Sequence, residues 1–155
     1  MCSSDLKRLA SDYIEGLNIL SSMRMCANVP CQSAIQTALG GYQSIDDLVK
    51  ENGRLRIQRD VTTDMLNGID GISCVKPKGA MYCFAKVDEK KFNIQNDEQM
   101  VLDLLSSEKI LLVHGRAFNL TEGTYFRLVF LPHSDVLVPA LHRIGNFFRT
   151  YKQGA

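Results

Sequence analysis

The sequence predicts an α+β fold in which helices pack on a small, mostly antiparallel sheet. From about Arg54 onward, the expected order of elements is helix, strand, strand, helix, strand, strand, helix. The strands are short, and their connections are either hairpin-like or helical, which is typical of an α+β layer. The chain has 155 residues, of which 45% are hydrophobic, so it suits one domain, or one domain and a small piece of another.

The first part of the chain predicts helices only. Apolar residues at spacings of three and four predict a helix over residues 5–22. A second short helix is expected over residues 31–39, ended by Gly40 and Gly41, and Ser44 with Asp47 resembles a capping box that begins a third. We expect residues 1–53 to form a helical segment that packs on another domain or chain, and residues 54–155 to form a small domain.

The elements of that small domain follow from apolar spacing and turn residues. Helices are expected over residues 54–69, where Ile57, Val61 and Met65 repeat at every fourth position, and over residues 97–108. Strands are expected over residues 72–75, 80–87, 110–113 and 125–131, with a turn at 76–79 and a loop at 114–123.

The last helix should run to about Tyr151, and Pro139 leaves its start open. The helix either begins near Val138, or begins at Ser134 with an irregular first turn, because a proline lacks the N–H that a helix interior needs.

Composition and charge exclude several classes of protein. The net charge is +1, with 18 basic and 17 acidic residues, so no general field attracts nucleic acid or an anionic membrane. No apolar run approaches the roughly 20 residues of a transmembrane helix, and the polar start lacks the apolar region of a signal peptide.

Five irregularly spaced cysteines fit neither a zinc site nor a redox Cys-x-x-Cys pair. We expect free, mostly buried thiols in a reducing cytoplasm. Cys31 opens a helix, where a thiolate is stabilised, but no base for it is evident and we interpret it as structural.

The most informative residue is Arg127, which lies in a strand with apolar residues on both faces. Such a strand is normally covered on both sides, and a desolvated arginine needs a partner. Its planar donor fork matches a carboxylate through two hydrogen bonds. The carboxylate is either an Asp or Glu of this chain or part of a ligand, and the residues alone leave both possibilities open.

Other candidate sites are weaker. The single glycine of the 114–119 loop does not make a phosphate cradle, so an ordinary connection is the simpler interpretation. His114, His133 and His142 lack the spacing of metal ligands, and we expect no metal site. A Gly-x-Ser-x-Gly elbow is also absent from the sequence, so nothing supports a serine hydrolase.

Several stretches resemble one known family. The run from Met25 to Tyr42, with Cys-Ala-Asn-Val-Pro and Gln-Thr-Ala-Leu-Gly-Gly, closely resembles a segment of bacterial alanine aminotransferases. The run from Cys74 to Tyr82 contains a Pro-x-Gly-Ala-x-Tyr signature, and Phe-Arg-Leu-Val around Arg127 follows in the order seen in the family. The chain thus resembles the C-terminal part of class I pyridoxal-phosphate (PLP) aminotransferases, and most closely the alanine (glutamate–pyruvate) type.

This resemblance implies the C-terminal small domain of fold-type I PLP enzymes, preceded by interdomain helices. It implies that Arg127 binds the α-carboxylate of the substrate and that Tyr82 and the loop from Gly115 to Asn119 line the same cleft. Arg116 departs from the family, where a small residue is usual, which puts a close approach to substrate at that position in doubt.

The implied activity is transfer of an amino group between alanine and 2-oxoglutarate, giving pyruvate and glutamate, in a cytoplasmic homodimer that serves amino-acid biosynthesis. The family holds PLP on a Schiff-base lysine that follows a serine, whereas here no lysine follows a serine. We therefore expect neither catalytic nor cofactor-binding residues in this chain, and we interpret it as a fragment. Two alternatives are a non-catalytic binding or dimerisation module and a PLP-dependent lyase of the same fold.

Overall fold

The computed structural model describes residues 10–25 and 27–154. The chain divides into two compact units, one ending at Gln43 and the other beginning at Ser44. The predicted boundary lay at Gly53. Residues 44–53 instead belong to the second unit, because helix α3 (Ser44–Val49) packs on helix α4 (Arg54–Asn67). A Cβ at Gly53 would overlap the backbone of Leu48, so a glycine permits this close approach.

The first unit contains helices α1 (Ser11–Met23) and α2 (Val29–Gly40). The predicted start of α1, residues 5–9, lies outside the described residues. Helix α2 begins two residues earlier than predicted, because the Asn28 side chain accepts a hydrogen bond from the Cys31 N–H (3.2 Å) and caps it. Neither helix has a buried residue. That residues 1–53 pack on another domain or chain therefore stays a prediction.

The second unit contains a four-stranded sheet, as predicted. Its further helices are α5 (Glu89–Phe92), α6 (Asp97–Glu108) and α7 (Ser134–Thr150), and its strands are β1 (Ile72–Cys74), β2 (Tyr82–Val87), β3 (Val113–His114) and β4 (Thr124–Val129). The strand order is β1-β2-β4-β3, and every neighbouring pair is antiparallel. Strand β3 lies later and is shorter than predicted, and the short helix α5 was not predicted.

The core lies between one face of this sheet and helices α4, α6 and α7. Its aromatic centre is Phe148 of α7, whose ring centroid lies 5.1 Å from that of Phe92 and 6.0 Å from that of Phe126. Helices α6 and α7 contribute one apolar face each to this core, and their buried apolar residues are Met100, Val101, Leu104, Leu137, Leu141, Ile144 and Phe148.

Helix α4 buries only part of the predicted apolar stripe: Met65 is partly buried and packs against the core. Ile57, at the start of the expected apolar stripe, is exposed, whereas Gln58, Thr62, Thr63 and Leu66 are buried. Polar residues can be buried here because they are hydrogen bonded. The Thr63 hydroxyl donates to the Arg59 carbonyl (2.8 Å), and Gln58 bonds to the chain after β4.

Strand β4 alternates between the core and an open face. Phe126 and Leu128 are buried, whereas Arg127 is half-buried and Val129 is exposed. The expectation that this strand is covered on both faces is therefore wrong for the described chain, because the helices of the second unit pack on one side of the sheet.

Helix α7 resolves the question raised by Pro139. The helix begins at Ser134 and Pro139 lies inside it, so the alternative start near Val138 is wrong. The first helical hydrogen bond runs from the Leu137 N–H to the His133 carbonyl (2.8 Å).

In the described residues, no helix is both long enough and apolar enough to cross a membrane.

The described cysteines are free thiols, as expected. Cys74 and Cys83 are buried, and Cys31 is exposed, while Cys2 and Cys26 lie outside the described residues. A hydrogen bond with the neighbouring Cys74 thiol, together with burial, raises the pKa of Cys83, so this thiol stays protonated at neutral pH.

Candidate functional site

Arg127 lies on the open face of the sheet, in a central strand. In the register of the sheet it is opposite Phe84 of β2 on one side and Val113 of β3 on the other. Because side chains alternate along a strand, the burial of Phe126 and Leu128 in the core directs Arg127 to the opposite face. The alternation of side chains along β4 thus places the positive charge of Arg127 on the open face of the sheet, beside the apolar residues Phe84 and Val113.

The Arg127 guanidinium is held between two aromatic rings. Its central carbon Cζ lies 4.6 Å from the centroid of the Tyr82 ring and 4.4 Å from that of Phe118. The Phe118 ring in turn contacts Phe84 edge-on, at 5.3 Å between centroids and 76° between planes. Stacking on aromatic faces stabilises the cation and restricts the plane of the guanidinium. The in-plane N–H groups are therefore oriented before any carboxylate binds.

No carboxylate in residues 10–25 or 27–154 forms an ion pair with Arg127. Its Nε is buried and has no hydrogen-bond acceptor among these residues. A buried charged donor without an acceptor is unfavourable. Of the two partners that the sequence left open, an internal salt bridge is not formed within the described chain, and this geometry favours an external acceptor.

Phe118 reaches Arg127 from a 3₁₀ helix, Gly115–Phe118, which follows β3. The helix passes close to β4, because a Cβ at Gly115 would lie 3.1 Å from the Cβ of Tyr125. It ends at Asn119, whose φ of 57° is left-handed. The loop from Gly115 to Asn119 was predicted to approach the same cleft as Arg127, and the structure brings one of its residues, Phe118, into contact with the guanidinium.

Arg116, where the sequence departs from the family pattern, lies beside Asp97 of α6. Its side chain is largely exposed, and its Nε lies 3.6 Å from Oδ1 of Asp97. Asp97 itself is buried and accepts a hydrogen bond from the Arg116 backbone N–H (3.0 Å). Sequence reasoning missed Asp97 as part of this region, because a carboxylate at the start of a helix is common and its spacing gave no sign that it faces the loop. It also missed Phe84.

The described lysines do not fit the covalent attachment of PLP. Such a lysine is desolvated and close to the substrate, since its reactivity depends on a lowered pKa. The lysines of the described chain are all exposed, namely Lys50, Lys76, Lys78, Lys86, Lys90, Lys91, Lys109 and Lys152.

The sequence pattern of the class I and II aminotransferases matches residues 4–144. The chain belongs to this family. The resemblance found in the Pro-x-Gly-Ala-x-Tyr run and around Arg127 is thereby confirmed for nearly the whole chain. Aminotransferases of this family generally depend on PLP and act on amino acids and 2-oxo acids.

Several curated relatives of this aminotransferase chain share more than half of their aligned residues with it. The glutamate-pyruvate aminotransferase AlaA of Haemophilus influenzae is 55% identical over 147 residues, which cover 95% of this chain and 36% of that protein. An alanine aminotransferase of Mycobacterium tuberculosis is 53% identical, with 95% and 34% covered. The chain therefore spans about a third of the length of the curated relatives it matches.

Solved structures agree with the predicted small-domain fold. An aminotransferase from Escherichia coli superposes with a TM-score of 0.81 at 52% identity, over 95% of this chain and 36% of that one. The alanine aminotransferase of Pyrococcus furiosus has a TM-score of 0.72 at 34% identity, with 91% and 35% covered. The α+β unit with its antiparallel sheet is thus part of an aminotransferase fold.

Proposed function

We propose that the protein to which this chain belongs transfers an amino group between alanine and 2-oxoglutarate, giving pyruvate and glutamate, with PLP as cofactor. The identity of more than half of the aligned residues to proteins named glutamate-pyruvate or alanine aminotransferase supports this choice of substrates.

In this proposal Arg127 binds the α-carboxylate of the amino acid. The observation that carries it is the guanidinium between Tyr82 and Phe118, with no carboxylate partner among the described residues. Two parallel N–H···O bonds would fix both the position and the rotation of a carboxylate. Holding the substrate in this way places its α-carbon in one orientation toward the reacting centre, which contributes to rate by positioning. The Tyr82 ring supports one side of the guanidinium.

When bound, PLP supplies an electron sink for the carbanion formed at the α-carbon. Because the described lysines are exposed, we propose that the lysine that holds the cofactor lies outside the residues that the structure describes. The contribution of the described residues is to bind and orient the substrate carboxylate, and no catalytic or cofactor-binding residue is assigned to them.

We also propose that the protein is a cytoplasmic homodimer that takes part in amino-acid biosynthesis. Helices α1 and α2 have exposed apolar residues, among them Leu20, Ile35 and Leu39, which supports packing against another domain or chain. The balanced charge supports small-molecule substrates rather than nucleic acid or a membrane as partners.

A second candidate applies to the 155-residue chain by itself, as a non-catalytic binding or dimerisation module. The exposure of every described lysine favours it, because none of these amines is desolvated, as the amine that holds PLP must be. The two candidates differ in whether the longer protein binds PLP.

The absorbance spectrum with PLP tests the proposal. It is measured for this chain and for the longer protein that contains it, before and after addition of alanine. We expect a cofactor band in the longer protein only, and we expect alanine to remove it. A longer protein without such a band would contradict the aminotransferase proposal and favour the binding module. A band that responds to other amino acids and not to alanine would contradict the proposed substrate.

A further inference from the structure

We propose that Asp97 is a positioning residue for the carboxylate site, acting on Arg127 through the 3₁₀ helix and Phe118. This inference rests on the proposed role of Arg127 and adds a residue that does not itself touch the substrate. A series of contacts begins at a buried carboxylate in α6 and ends at the guanidinium on the open face of the sheet.

The first contact is a hydrogen bond between two separate elements. The Arg116 backbone N–H donates to Oδ2 of Asp97 at 3.0 Å. The first N–H groups of any helix lack an acceptor within that helix, so an external acceptor is needed to satisfy them. Asp97 supplies this acceptor at the start of the 3₁₀ helix, and thereby ties the start of that helix to α6.

Asp97 is itself well fixed. Its side chain is 2% exposed, and it occupies the first position of α6, where the positive end of the helix dipole stabilises a carboxylate. Asn96 caps the same helix end, accepting from the Glu98 N–H at 2.9 Å and from the Gln99 N–H at 3.3 Å. A buried carboxylate on a capped helix is a suitable anchor, because burial restricts the side chain and the cap stabilises the end of the helix.

Two positive or potentially positive groups face the same carboxylate. Nε of Arg116 lies 3.6 Å from Oδ1, and Nδ1 of His114 lies 3.7 Å from Oδ2. Both contacts come from the residues that lead into and begin the 3₁₀ helix. Both side-chain distances are longer than a hydrogen bond, and Oδ1 of Asp97 and Nδ1 of His114 have no hydrogen-bond partner among the described residues. The contact that anchors this segment is therefore the hydrogen bond from the Arg116 backbone.

The last contacts lead from the 3₁₀ helix to Arg127. Phe118 ends this helix, and its ring centroid lies 4.4 Å from Cζ of Arg127. At the end of the helix, the Asn119 N–H donates to the Arg116 carbonyl at 3.1 Å. Phe118 therefore lies in a turn that is closed by this hydrogen bond and bonded to Asp97 through the Arg116 N–H. Release of Arg116 from Asp97 would let the turn move, and the guanidinium would lose one of its two stacking partners.

A double-mutant cycle in the full-length holoprotein tests the proposal. The variants are Asp97→Ala, Phe118→Leu and the double variant, and the probe is propionate, whose dissociation constant is measured by NMR titration. Propionate carries a carboxylate and no amino group, so its binding reports the carboxylate site without turnover. We expect each single variant to weaken propionate binding about tenfold, and the double variant to be no weaker than Phe118→Leu alone. KM for alanine should rise more than kcat falls.

Two further variants separate positioning from folding. Asp97→Asn keeps an acceptor for the Arg116 N–H, so propionate binding should stay within about twofold of the wild type. Glu98→Ala is the matched control, because it removes an exposed carboxylate from the next position of the same helix. If Asp97→Ala does not fold, Asp97→Ser takes its place in the cycle, since a serine suits a helix start but is too short to reach Arg116.

Arg127→Ala separates failure of the carboxylate site from failure of the positioning role of Asp97. If Arg127→Ala leaves propionate binding unchanged, the carboxylate site itself is wrong. If Arg127→Ala weakens binding while Asp97→Ala does not, or if the losses in Asp97→Ala and Phe118→Leu add in full, the carboxylate site stands and the positioning role of Asp97 is overturned.

Discussion

The guanidinium carbon of Arg127 lies 4.4 Å from the ring centroid of Phe118, a residue that reaches it from a different element. The alternation of side chains along β4 positions Arg127 on the open face. Phe118 is positioned by a 3₁₀ helix that is hydrogen-bonded to a third element, α6. The donor fork therefore has one orientation before a ligand arrives, which lowers the entropy that binding must remove.

Replacing Arg127 with lysine should cost much of the substrate affinity although the charge is kept. A lysine presents a point charge in place of the planar fork, so it can make neither two parallel bonds to a carboxylate nor a stacked contact with both rings. We expect kcat/KM of the full-length protein to fall by about 10- to 100-fold, equivalent to roughly 2 kcal/mol. Steady-state kinetics with alanine at several concentrations measure it.

Two comparisons make this prediction specific. Arg127→Ala should be more severe than Arg127→Lys, and Arg149→Lys, on the exposed end of α7, should change nothing. An unchanged kcat/KM in Arg127→Lys would mean that the stacked fork does not contact the substrate.

Gln58 should contribute to stability through the chain that follows β4. The side chain is 1% exposed, and its amide nitrogen donates to the carbonyls of Leu131 (3.3 Å) and Pro132. Gln58→Ala would leave these carbonyls with fewer donors, so we expect the free energy of unfolding to fall by about 1–3 kcal/mol. Chemical denaturation of the full-length protein, followed by hydrogen exchange of α4, measures it.

The matched control for this prediction is Gln99→Ala. Gln99 is an exposed glutamine of α6 that donates to Asp103 at 2.7 Å. Because exposed hydrogen bonds compete with water, this variant should change stability by less than about 0.5 kcal/mol. Equal effects of the two variants would contradict a special contribution from Gln58.

Long periodic elements were predictable from the sequence, and short or polar ones were not. Helix α6 has the predicted bounds, because Met100, Val101 and Leu104 repeat at helical spacing after an asparagine cap. Helix α5 has four residues, which is too short for any apolar period. The burial of Gln58 in α4 was missed because glutamine is polar, and no spacing rule shows that a polar residue has found its hydrogen-bond partners inside.

The candidate site also has one residue that the sequence could predict and contacts that it could not. Arg127 was identifiable, because a charge in an apolar strand is costly and stands out in the sequence. Its contact with Phe118 and the hydrogen bond from the Arg116 N–H to Asp97 were not, since they join side chains of a strand, a 3₁₀ helix and another helix, and no sequence pattern relates those elements. The open face of β4 was also unpredictable, because apolar residues there indicate cover without saying whether this chain supplies it.

Replacing Pro139 with alanine should stabilise helix α7. Pro139 lies inside this helix, where it has no N–H to donate to the Asp135 carbonyl and its ring crowds that carbonyl. Alanine would restore the hydrogen bond and raise helix propensity, while the unfolded chain would gain some freedom. We expect a net gain of about 1–2 kcal/mol in the free energy of unfolding.

This expectation is checked by measuring the free energy of unfolding of Pro139→Ala and of His142→Ala by thermal denaturation, each relative to the wild type. His142 is exposed on the same helix, so its replacement adds helix propensity without a new hydrogen bond. A gain in Pro139→Ala no larger than that in His142→Ala would show that the missing bond at Asp135 costs nothing.

The phenol of Tyr151 should make the protein lose stability at high pH. Burial, followed by the hydrogen bond to Asp103 (2.7 Å) and the negative charge of Asp103, raises the pKa of Tyr151 above its ordinary value of 10.0. A raised pKa in the folded state means that the neutral phenol is favoured by folding. Its contribution is fully present below pH 10.0 and is lost as the pH rises toward the folded pKa.

Tyr151→Phe should remove this part of the pH dependence. Below pH 10 the variant should be less stable by about 1 kcal/mol, because the bond to Asp103 is lost. Above it, the difference from the wild type should shrink as the wild-type phenol ionises. Tyr125→Phe is the control, since no hydrogen bond of the Tyr125 hydroxyl is found within the described residues. A stability difference between Tyr151→Phe and wild type that stays constant across pH 8–12 would contradict a raised pKa for Tyr151, because only a phenol that titrates differently in the two states can make that difference depend on pH.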